Sequence, residues 1–183
     1  MSFRRVETRI DGLVLIEPTA HRDERGFFLE TFRASEYPAL GVDAEFVQEN
    51  QSRSGRGTIR ALHFQLQPGQ AKLVRAARGS VYDVAVDLRR DSPTFGQHEA
   101  FELSDANAHQ LFVPVGFAHG FCVTSEVADF TYKVSSYYDG AQERGIAWDD
   151  PDIGVQWPIE DPIVSDRDRS NPTLAEIADR LPW

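Results

Sequence analysis

Apolar residues recur at every second position in several short stretches of this chain, which is the period of a β-strand that buries one face. The stretch 80–88 shows the pattern most clearly, with its apolar side chains on one face and Asp83 and Asp87 on the other. The stretches 116–123 and 127–135 repeat it. Turns containing glycine, proline and aspartate separate these stretches. The pattern predicts an all-β chain folded as an antiparallel jelly roll or closed barrel.

Helical signals are confined to two short stretches. Residues 171–180 form the stronger one, with Asn171 as the N-cap and Pro172 at the first helical position. Residues 34–40 form a shorter candidate that is broken near Pro38. No repeat, low-complexity tract or linker divides the 183 residues. The sequence therefore predicts one domain, 1–183, with a short C-terminal helix.

The charge balance excludes two classes of partner. With 29 acidic and 19 basic residues the net charge is −10, whereas nucleic acids and anionic membranes require a basic surface. No apolar run reaches the roughly 20 residues of a membrane span, and arginines interrupt the stretch where a signal peptide would lie. The single cysteine, Cys122, excludes an internal disulfide. We expect a cytoplasmic protein with no nucleic-acid and no membrane partner.

The segment 50–82 is positive within this acidic chain, with six basic residues and no aspartate or glutamate. Such a segment attracts a small anion. It contains His63, which is flanked by Leu62 and Phe64 on an expected strand. A histidine held among apolar groups beside cations is suited to act as a base on an anionic substrate. A core histidine beside a solvated charged face fits this segment equally well.

Four polar residues can be assigned to inward-facing positions of the expected strands, namely His63, Lys72, His119 and Tyr132. Because one small barrel has little reason to bury four such side chains, the set indicates a binding or catalytic cavity. Arg60 raises a difficulty, since it lies three residues from His63 and an ideal strand would place the two on opposite faces. Either a bulge re-aims one of them, or Arg60 serves the cavity of a neighbouring subunit.

The histidine spacing argues against a metal. The stretch 114–119 has the pattern Pro-x-Gly-x-x-His, which resembles the second motif of the cupin barrels. Cupins that bind a metal also carry a His-x-His pair, but His63 has no second histidine two residues on. Three ligands at the expected spacing are therefore missing. The sequence predicts a cupin-like barrel with no metal.

Nine stretches, taken together and in this order, cover nearly the whole chain: 23–30, 47–50, 59–65, 70–74, 87–96, 113–121, 132–138, 146–151 and 165–168. In these stretches the chain resembles the dTDP-4-dehydrorhamnose 3,5-epimerases, enzymes of rhamnose synthesis. Two departures from the family pattern occur, at Ala61, where glycine is usual, and at Arg167, where lysine is common. Neither departure removes a reactive group.

The resemblance implies an isomerase acting on a dTDP-linked 4-keto-6-deoxyhexose, whose C4 carbonyl acidifies the hydrogens at C3 and C5. It implies that His63 is the base and that Asp168 supports it. It implies that Tyr132 is the acid on the opposite face of the sugar and that Lys72 lies near the C4 oxygen. No cofactor is required, which agrees with the absence of a Gly-x-Gly-x-x-Gly motif.

The resemblance also implies a homodimer and a set of substrate-binding residues. A 3-epimerase or a 3,4-ketoisomerase would share the barrel and much of the cavity, and the sequence separates these activities poorly. A sugar-nucleotide-binding barrel without activity is a further alternative, although it would have no need of an acid and a base. The implied binding residues are Arg25, Glu30, Gln48, Glu49, Asn50, Arg60, His119, Glu143 and Arg167.

Overall fold

The computed structural model describes residues 2–183 and consists mainly of β-strands. Its helices are short: α1 (Asp166–Arg169), α2 (Leu174–Ile177) and two 3₁₀ turns, Pro38–Leu40 and Ala178–Arg180. Among residues 2–183 no helix has the length and apolar character needed to cross a membrane. The strands are β1 (Phe3–Val6), β2 (Val14–Pro18), β3 (Ala20–Asp23), β4 (Gly26–Leu29), β5 (Gln48–Gly55), β6 (Thr58–Gln65), β7 (Lys72–Arg78), β8 (Ser80–Asp87), β9 (His98–Ser104), β10 (Gln110–Val113), β11 (Phe117–Val123), β12 (Val127–Val134), β13 (Glu143–Gly145) and β14 (Ile163–Val164).

Two large sheets face each other. Sheet 1 has the strand order β1-β2-β10-β7-β12-β5, and sheet 2 has the order β13-β6-β11-β8-β9. Neighbours within both sheets are antiparallel, while β14 pairs with β6 in parallel. Strands β3 and β4 form a separate hairpin. This arrangement confirms the predicted all-β jelly roll.

The central core lies between the two sheets. Val74 and Phe130 of sheet 1 pack in one buried cluster with Ala85, Phe121 and Val123 of sheet 2. Alternate residues of each strand supply this cluster, as the sequence pattern predicts. The cluster closes one part of the interior and leaves polar side chains to line the rest.

The outer face of sheet 2 is also buried, because the last part of the chain, residues 146–183, covers it. Val84 and Val86 of β8 pack in a second cluster with Trp148, Leu174 and Trp183 of the covering segments. The alternation in 80–88 is confirmed, but both of its faces are buried. Its aspartates point into the interior, where neither is exposed to solvent.

The helix boundaries correct the sequence prediction. The N-cap of α2 is Thr173, not Asn171, and Pro172 precedes the helix instead of opening it. The backbone N–H of Thr173 donates to the carboxylate of Glu176 at 2.8 Å, and together they form a capping box that outcompetes the asparagine. The candidate at 34–40 contains only the 3₁₀ turn at its end. Helix α1 was not predicted.

Candidate active site

A cavity of about 300 Å³ opens at one side of the interior, between β5 at the edge of sheet 1 and β6 near the edge of sheet 2. The next strands inward, β12 and β11, form its walls, and Lys72 of β7 lies deeper. All four residues expected to be catalytic, His63, Lys72, Tyr132 and Asp168, line this cavity. Its lining consists of Asn50, Ser52, Arg60, His63, Gln70, Lys72, His119, Phe121, Phe130, Tyr132, Tyr138, Glu143, Ser165, Arg167 and Asp168.

His63 and Asp168 form a hydrogen-bonded pair at the cavity wall, with 2.7 Å between Nε2 and Oδ1. Asp168 belongs to α1, whose N-cap Ser165 accepts a hydrogen bond from the Asp168 N–H. The second carboxylate oxygen accepts from the Ala61 N–H. Burial alone would raise the pKa of Asp168, but these contacts and the charge of Arg167 lower it below its usual value. The carboxylate is therefore ionised and can support a positive charge on His63.

Lys72 is the buried cation of the cavity. Its ammonium group donates to the carbonyl oxygen of His63 at 3.3 Å. Burial lowers the pKa of Lys72 to about 8, although the negative charges of Glu143 and Asp83 oppose the shift. Lys72 thus stays largely protonated at neutral pH and loses its charge in mildly alkaline solution.

Tyr132 faces the cavity from sheet 1, whereas His63 faces it from sheet 2. Burial and the charge of Glu143 raise the pKa of Tyr132, with Arg60 and Asn50 acting in the opposite direction. The phenol therefore keeps its proton at neutral pH. A ligand between the two sheets meets a proton acceptor on one side and a proton donor on the other.

A second histidine–aspartate pair lies below the first. His119 of β11 stands directly opposite His63 of β6 in the strand register. Its Nε2 lies 3.0 Å from each carboxylate oxygen of Asp83, and both side chains are buried. Asp83 was not among the expected site residues. Alternation placed it on one face of its strand, but only the pairing of β8 with β11 brings that face to His119.

A β-bulge explains how Arg60 and His63 share one cavity. His119 pairs with His63 and Phe121 pairs with Arg60, so two steps along β11 correspond to three along β6. Of the two explanations left open by the sequence, the bulge is therefore sufficient. Gly120 faces this bulge, and a Cβ atom there would lie 2.4 Å from the Cβ of Ala61. Only glycine fits at position 120 without a shift of the backbone.

Charged groups gather at the mouth. Arg167 of α1 and Glu143 of β13 form an ion pair of 2.6 Å, and the Tyr138 hydroxyl donates to the same Glu143 oxygen at 2.8 Å. Burial would raise the pKa of Glu143, but Tyr138, Arg167 and His63 together lower it. The mouth therefore presents a carboxylate and two cations, Arg167 and Arg60, beside an exposed aromatic ring.

Four of the expected binding residues do not line this cavity. Arg25 lies at the turn between β3 and β4 and pairs with the neighbouring Asp23. Two of the others have partners outside the cavity, since Glu30 pairs with Arg33 and Glu49 pairs with Lys133, whereas Gln48 donates to Asn50 of the lining. Their roles remain predictions.

Six lining residues were absent from the expected set. Strand parity was sufficient to find three of them, because each lies two positions from an expected residue on the same strand: Ser52, Phe121 and Phe130. Gln70 lies in the loop before β7. Tyr138 lies in the loop after β12, outside the alternating strands. Ser165 lies on the covering segment, where no alternation marks it.

A jelly roll whose cavity holds a proton acceptor and a donor on facing walls, with a buried cation between the sheets, has the arrangement expected of an epimerase, an isomerase that removes a proton from one face of a carbon and returns one to the other. The chain belongs to the dTDP-4-dehydrorhamnose 3,5-epimerase family, whose model matches residues 7–176.

Individual relatives agree with this assignment. The dTDP-4-dehydrorhamnose 3,5-epimerase of Methanothermobacter thermautotrophicus is 46% identical over 177 residues, covering 95% of this chain and 96% of the relative. The enzyme of that name from Shigella flexneri is 48% identical over 165 residues, covering 89% and 91%. The crystal structure of a Legionella pneumophila dTDP-6-deoxy-D-glucose-3,5-epimerase in complex with dTDP-4-keto-L-rhamnose is 46% identical, with a TM-score of 0.95 and coverage of 98% and 97%.

Proposed function

We propose that this chain converts dTDP-4-dehydro-6-deoxyglucose to dTDP-4-dehydro-L-rhamnose by inverting C3 and C5, without a cofactor, in deoxysugar synthesis. One observation carries the proposal: His63 and Tyr132 reach a single cavity from opposing sheets. Inversion of a carbon requires removal of a proton from one face and its return to the other. The Legionella relative, described in complex with the 4-keto sugar nucleotide, supports the substrate class.

His63 acts as the base. Because Asp168 accepts the hydrogen of Nε2, the lone pair of the neutral ring lies on Nδ1. Nδ1 removes the hydrogen from the carbon next to the C4 carbonyl, and the imidazolium that forms is stabilised by the Asp168 carboxylate. The electron pair of the broken C–H bond moves into an enolate whose negative charge lies on the C4 oxygen.

Lys72 stabilises that enolate. A protonated ammonium group in a buried cavity interacts strongly with charge that develops in the transition state. Tyr132 then donates its proton to the opposite face of the carbon, which inverts it. Before the second carbon reacts, the His63 imidazolium releases its proton to water and the Tyr132 phenolate takes one up from water.

The mouth binds the nucleotide. The forked guanidinium groups of Arg60 and Arg167 match the oxygens of a diphosphate. Asn50 and Gln48 present amide groups suited to the edge of a pyrimidine. Glu143 and His119 complete the contacts to the sugar. We assign Arg25, Glu30 and Glu49 to binding of the sugar nucleotide as well.

We further propose a homodimer in which the β3–β4 hairpin approaches the partner subunit. Arg25 and Glu30 lie on or beside this hairpin and outside their own cavity. Phe27 and Phe28 of the hairpin are 52% and 73% exposed, which favours burial against another chain. Light scattering at micromolar concentration should give twice the chain mass. A monomer with full activity would contradict this proposal.

Exchange in deuterated water tests the function. The chain is incubated with dTDP-4-dehydro-6-deoxyglucose, and deuterium is located by NMR. Deuterium at both C3 and C5 supports the double epimerase, whereas deuterium at C3 alone indicates a 3-epimerase. Movement of the carbonyl to C3 indicates a ketoisomerase, and the absence of exchange indicates a binding protein. A cytoplasmic location remains a prediction.

A further inference from the structure

Asp83 is a fully buried carboxylate that the proposed proton transfers do not use. Burial of a charged group is costly unless hydrogen bonds compensate for the lost hydration. Among residues 2–183, the hydrogen bonds of this carboxylate come from one side chain, the Nε2 of His119, at 3.0 Å to each oxygen. The carboxylate is therefore committed to a ring that lines the cavity.

Asp87 is a natural comparison, because it lies on the same strand and is equally buried. Its carboxylate accepts hydrogen bonds from Arg89, Ser92 and Thr94, which fixes the loop that follows β8. None of these residues lines the cavity. Asp87 thus fixes the loop after β8, whereas the one side chain of residues 2–183 that is hydrogen-bonded to Asp83 lines the cavity.

The contact fixes the orientation of His119. Because the carboxylate accepts the Nε2 hydrogen, the neutral ring carries its lone pair on Nδ1. Nδ1 forms no hydrogen bond with residues 2–183 and belongs to a ring on the cavity wall, stacked beside Phe130. The ring therefore offers a free hydrogen-bond acceptor to a ligand.

The charge of Asp83 also reaches Lys72. Two carboxylates act on this ammonium, Asp83 from β8 and Glu143 from β13, and His63 from β6 accepts its hydrogen bond through the backbone carbonyl. The other titratable groups on the facing strands of the cavity are His119 from β11 and Tyr132 from β12. The two carboxylates favour the protonated form of Lys72 against burial. Glu143 is paired with Arg167 at the mouth, so its charge is partly compensated.

We propose that Asp83 is a positioning residue of this active site: it holds His119 with Nδ1 available to a hydroxyl group of the bound sugar, and it supplies a fixed negative charge at the closed end of the cavity. The inference rests on the proposed function. It adds a residue that touches neither the substrate nor the transferred protons and acts through His119 and Lys72.

The variant Asp83→Asn, with Asp87→Asn as the matched control, tests the proposal. Asparagine keeps the shape but removes the charge, and it allows the other tautomer of His119. We expect kcat/KM for deuterium exchange to fall about 10- to 100-fold. The alkaline limb of the pH profile should move to lower pH, because Lys72 then loses its proton more easily. Asp87→Asn should lower thermal stability and leave the limb in place.

The double variant His119→Ala with Asp83→Asn separates the effect of Asp83 on His119 from its effect on Lys72. Without the ring, Asp83→Asn should have little further effect on KM and should still move the alkaline limb. The proposal would be overturned if folded Asp83→Asn kept the alkaline limb of the pH profile in place and lost no more rate than Asp87→Asn. Asp83 would then be a structural residue. Failure of wild-type exchange would instead overturn the proposed function.

A measurement on the wild type keeps the proposal testable where Asp83→Asn does not fold. In ¹⁵N-histidine NMR, the neutral His119 ring should carry its hydrogen on Nε2. The Nδ1 resonance should shift when dTDP-6-deoxyglucose, a stable sugar nucleotide, is added, and it should not shift with dTDP alone. The opposite tautomer, or identical shifts with the two ligands, would contradict the proposal.

Discussion

Two histidine–aspartate pairs, whose histidines lie on adjacent strands and line one cavity, differ in their exposure to solvent. The His63 side chain is 22% exposed, and Asp168 reaches it through one oxygen from a covering helix. The His119 side chain is 7% exposed, and both oxygens of the unexposed Asp83 bind it. A ring with access and one strong contact can gain and lose a proton. A ring sealed against a buried carboxylate is held in place. Burial, more than residue type, separates the two roles.

The largest expected effect is that of His63→Asn. Because no other group takes the first proton, exchange and inversion should both fall by at least about 10²- to 10⁴-fold. Deuterium incorporation measured by NMR checks this. His119→Asn is the matched variant and should retain measurable exchange, since its ring holds the substrate without removing a proton. Loss of exchange in His119→Asn, with His63→Asn near wild type, would reverse the roles of the two pairs.

Tyr132→Phe should separate deuterium exchange from inversion. Inversion should fall by about 10²- to 10⁴-fold, because the proton donor on the second face is lost. Exchange should persist in part, since His63 can still remove a proton and return one from solvent. Comparing product stereochemistry with deuterium content gives both rates. Equal losses of exchange and inversion would contradict the assignment of Tyr132 as the acid.

Lys72→Ala should slow exchange and inversion together, by about 10²- to 10³-fold, because both pass through the same enolate. The other lysine of the chain, Lys133, provides the control. It pairs with Glu49 outside the cavity. Lys133→Ala should therefore have a far smaller effect on either rate. If the two lysine variants lost activity to the same extent, the loss in Lys72→Ala would not be due to the missing positive charge in the cavity.

Asp168→Asn should cause an intermediate loss of about 10²-fold. The substitution leaves the His63 ring in place but removes the charge that supports its protonated form. Asp166 lies on the same helical turn and is exposed, so Asp166→Asn serves as the control and should be nearly silent. An Asp168→Asn variant as active as wild type would show that catalysis does not require the carboxylate of Asp168.

The pH dependence is the mildest test. Burial lowers the pKa of Lys72 to about 8, so the charged form is lost as the pH rises through that value. Above pH 8, kcat/KM should fall about tenfold per pH unit. Lys72→Arg should lose this limb, because a guanidinium keeps its charge. A wild-type profile that stays flat to pH 10 would show that the charge of Lys72 is not required.

Alternation was enough to predict the main strands and four residues that line the cavity, His63, Lys72, His119 and Tyr132. His119 and Tyr132 face inward with their strand neighbours, as expected from a period of two. The bulge between Arg60 and His63 breaks that period. The sequence showed only that an ideal strand would place these two residues on opposite faces, and it did not show how the conflict is resolved. Asp83 required knowledge of which strand pairs with β8. Register depends on contacts between distant segments, and a local pattern does not contain them.

The helices illustrate a different limit. The stretch after Ser170 holds two N-cap candidates, Asn171 and Thr173, and the reciprocal bond of Thr173 with Glu176 decides between them. Helix α1 is a single turn that propensity alone would not stabilise. Its position depends on β14 pairing with β6 and on the bond between Asp168 and His63. Resemblance, not periodicity, pointed to Asp168.

The separation of His63 and Asp168 along the chain has a consequence for how this enzyme becomes active. The two residues lie 105 positions apart, and Asp168 is carried by the segment that folds over the back of sheet 2. Strands up to β13 can all be paired before that segment arrives. Catalysis therefore requires the last part of the chain: proteolytic clipping after position 160 should lower deuterium exchange by more than Asp168→Asn does, because it also removes Arg167 and apolar residues that cover sheet 2. A peptide spanning 161–183, added back, should restore exchange, and the same peptide carrying Asp168→Asn should restore less of it.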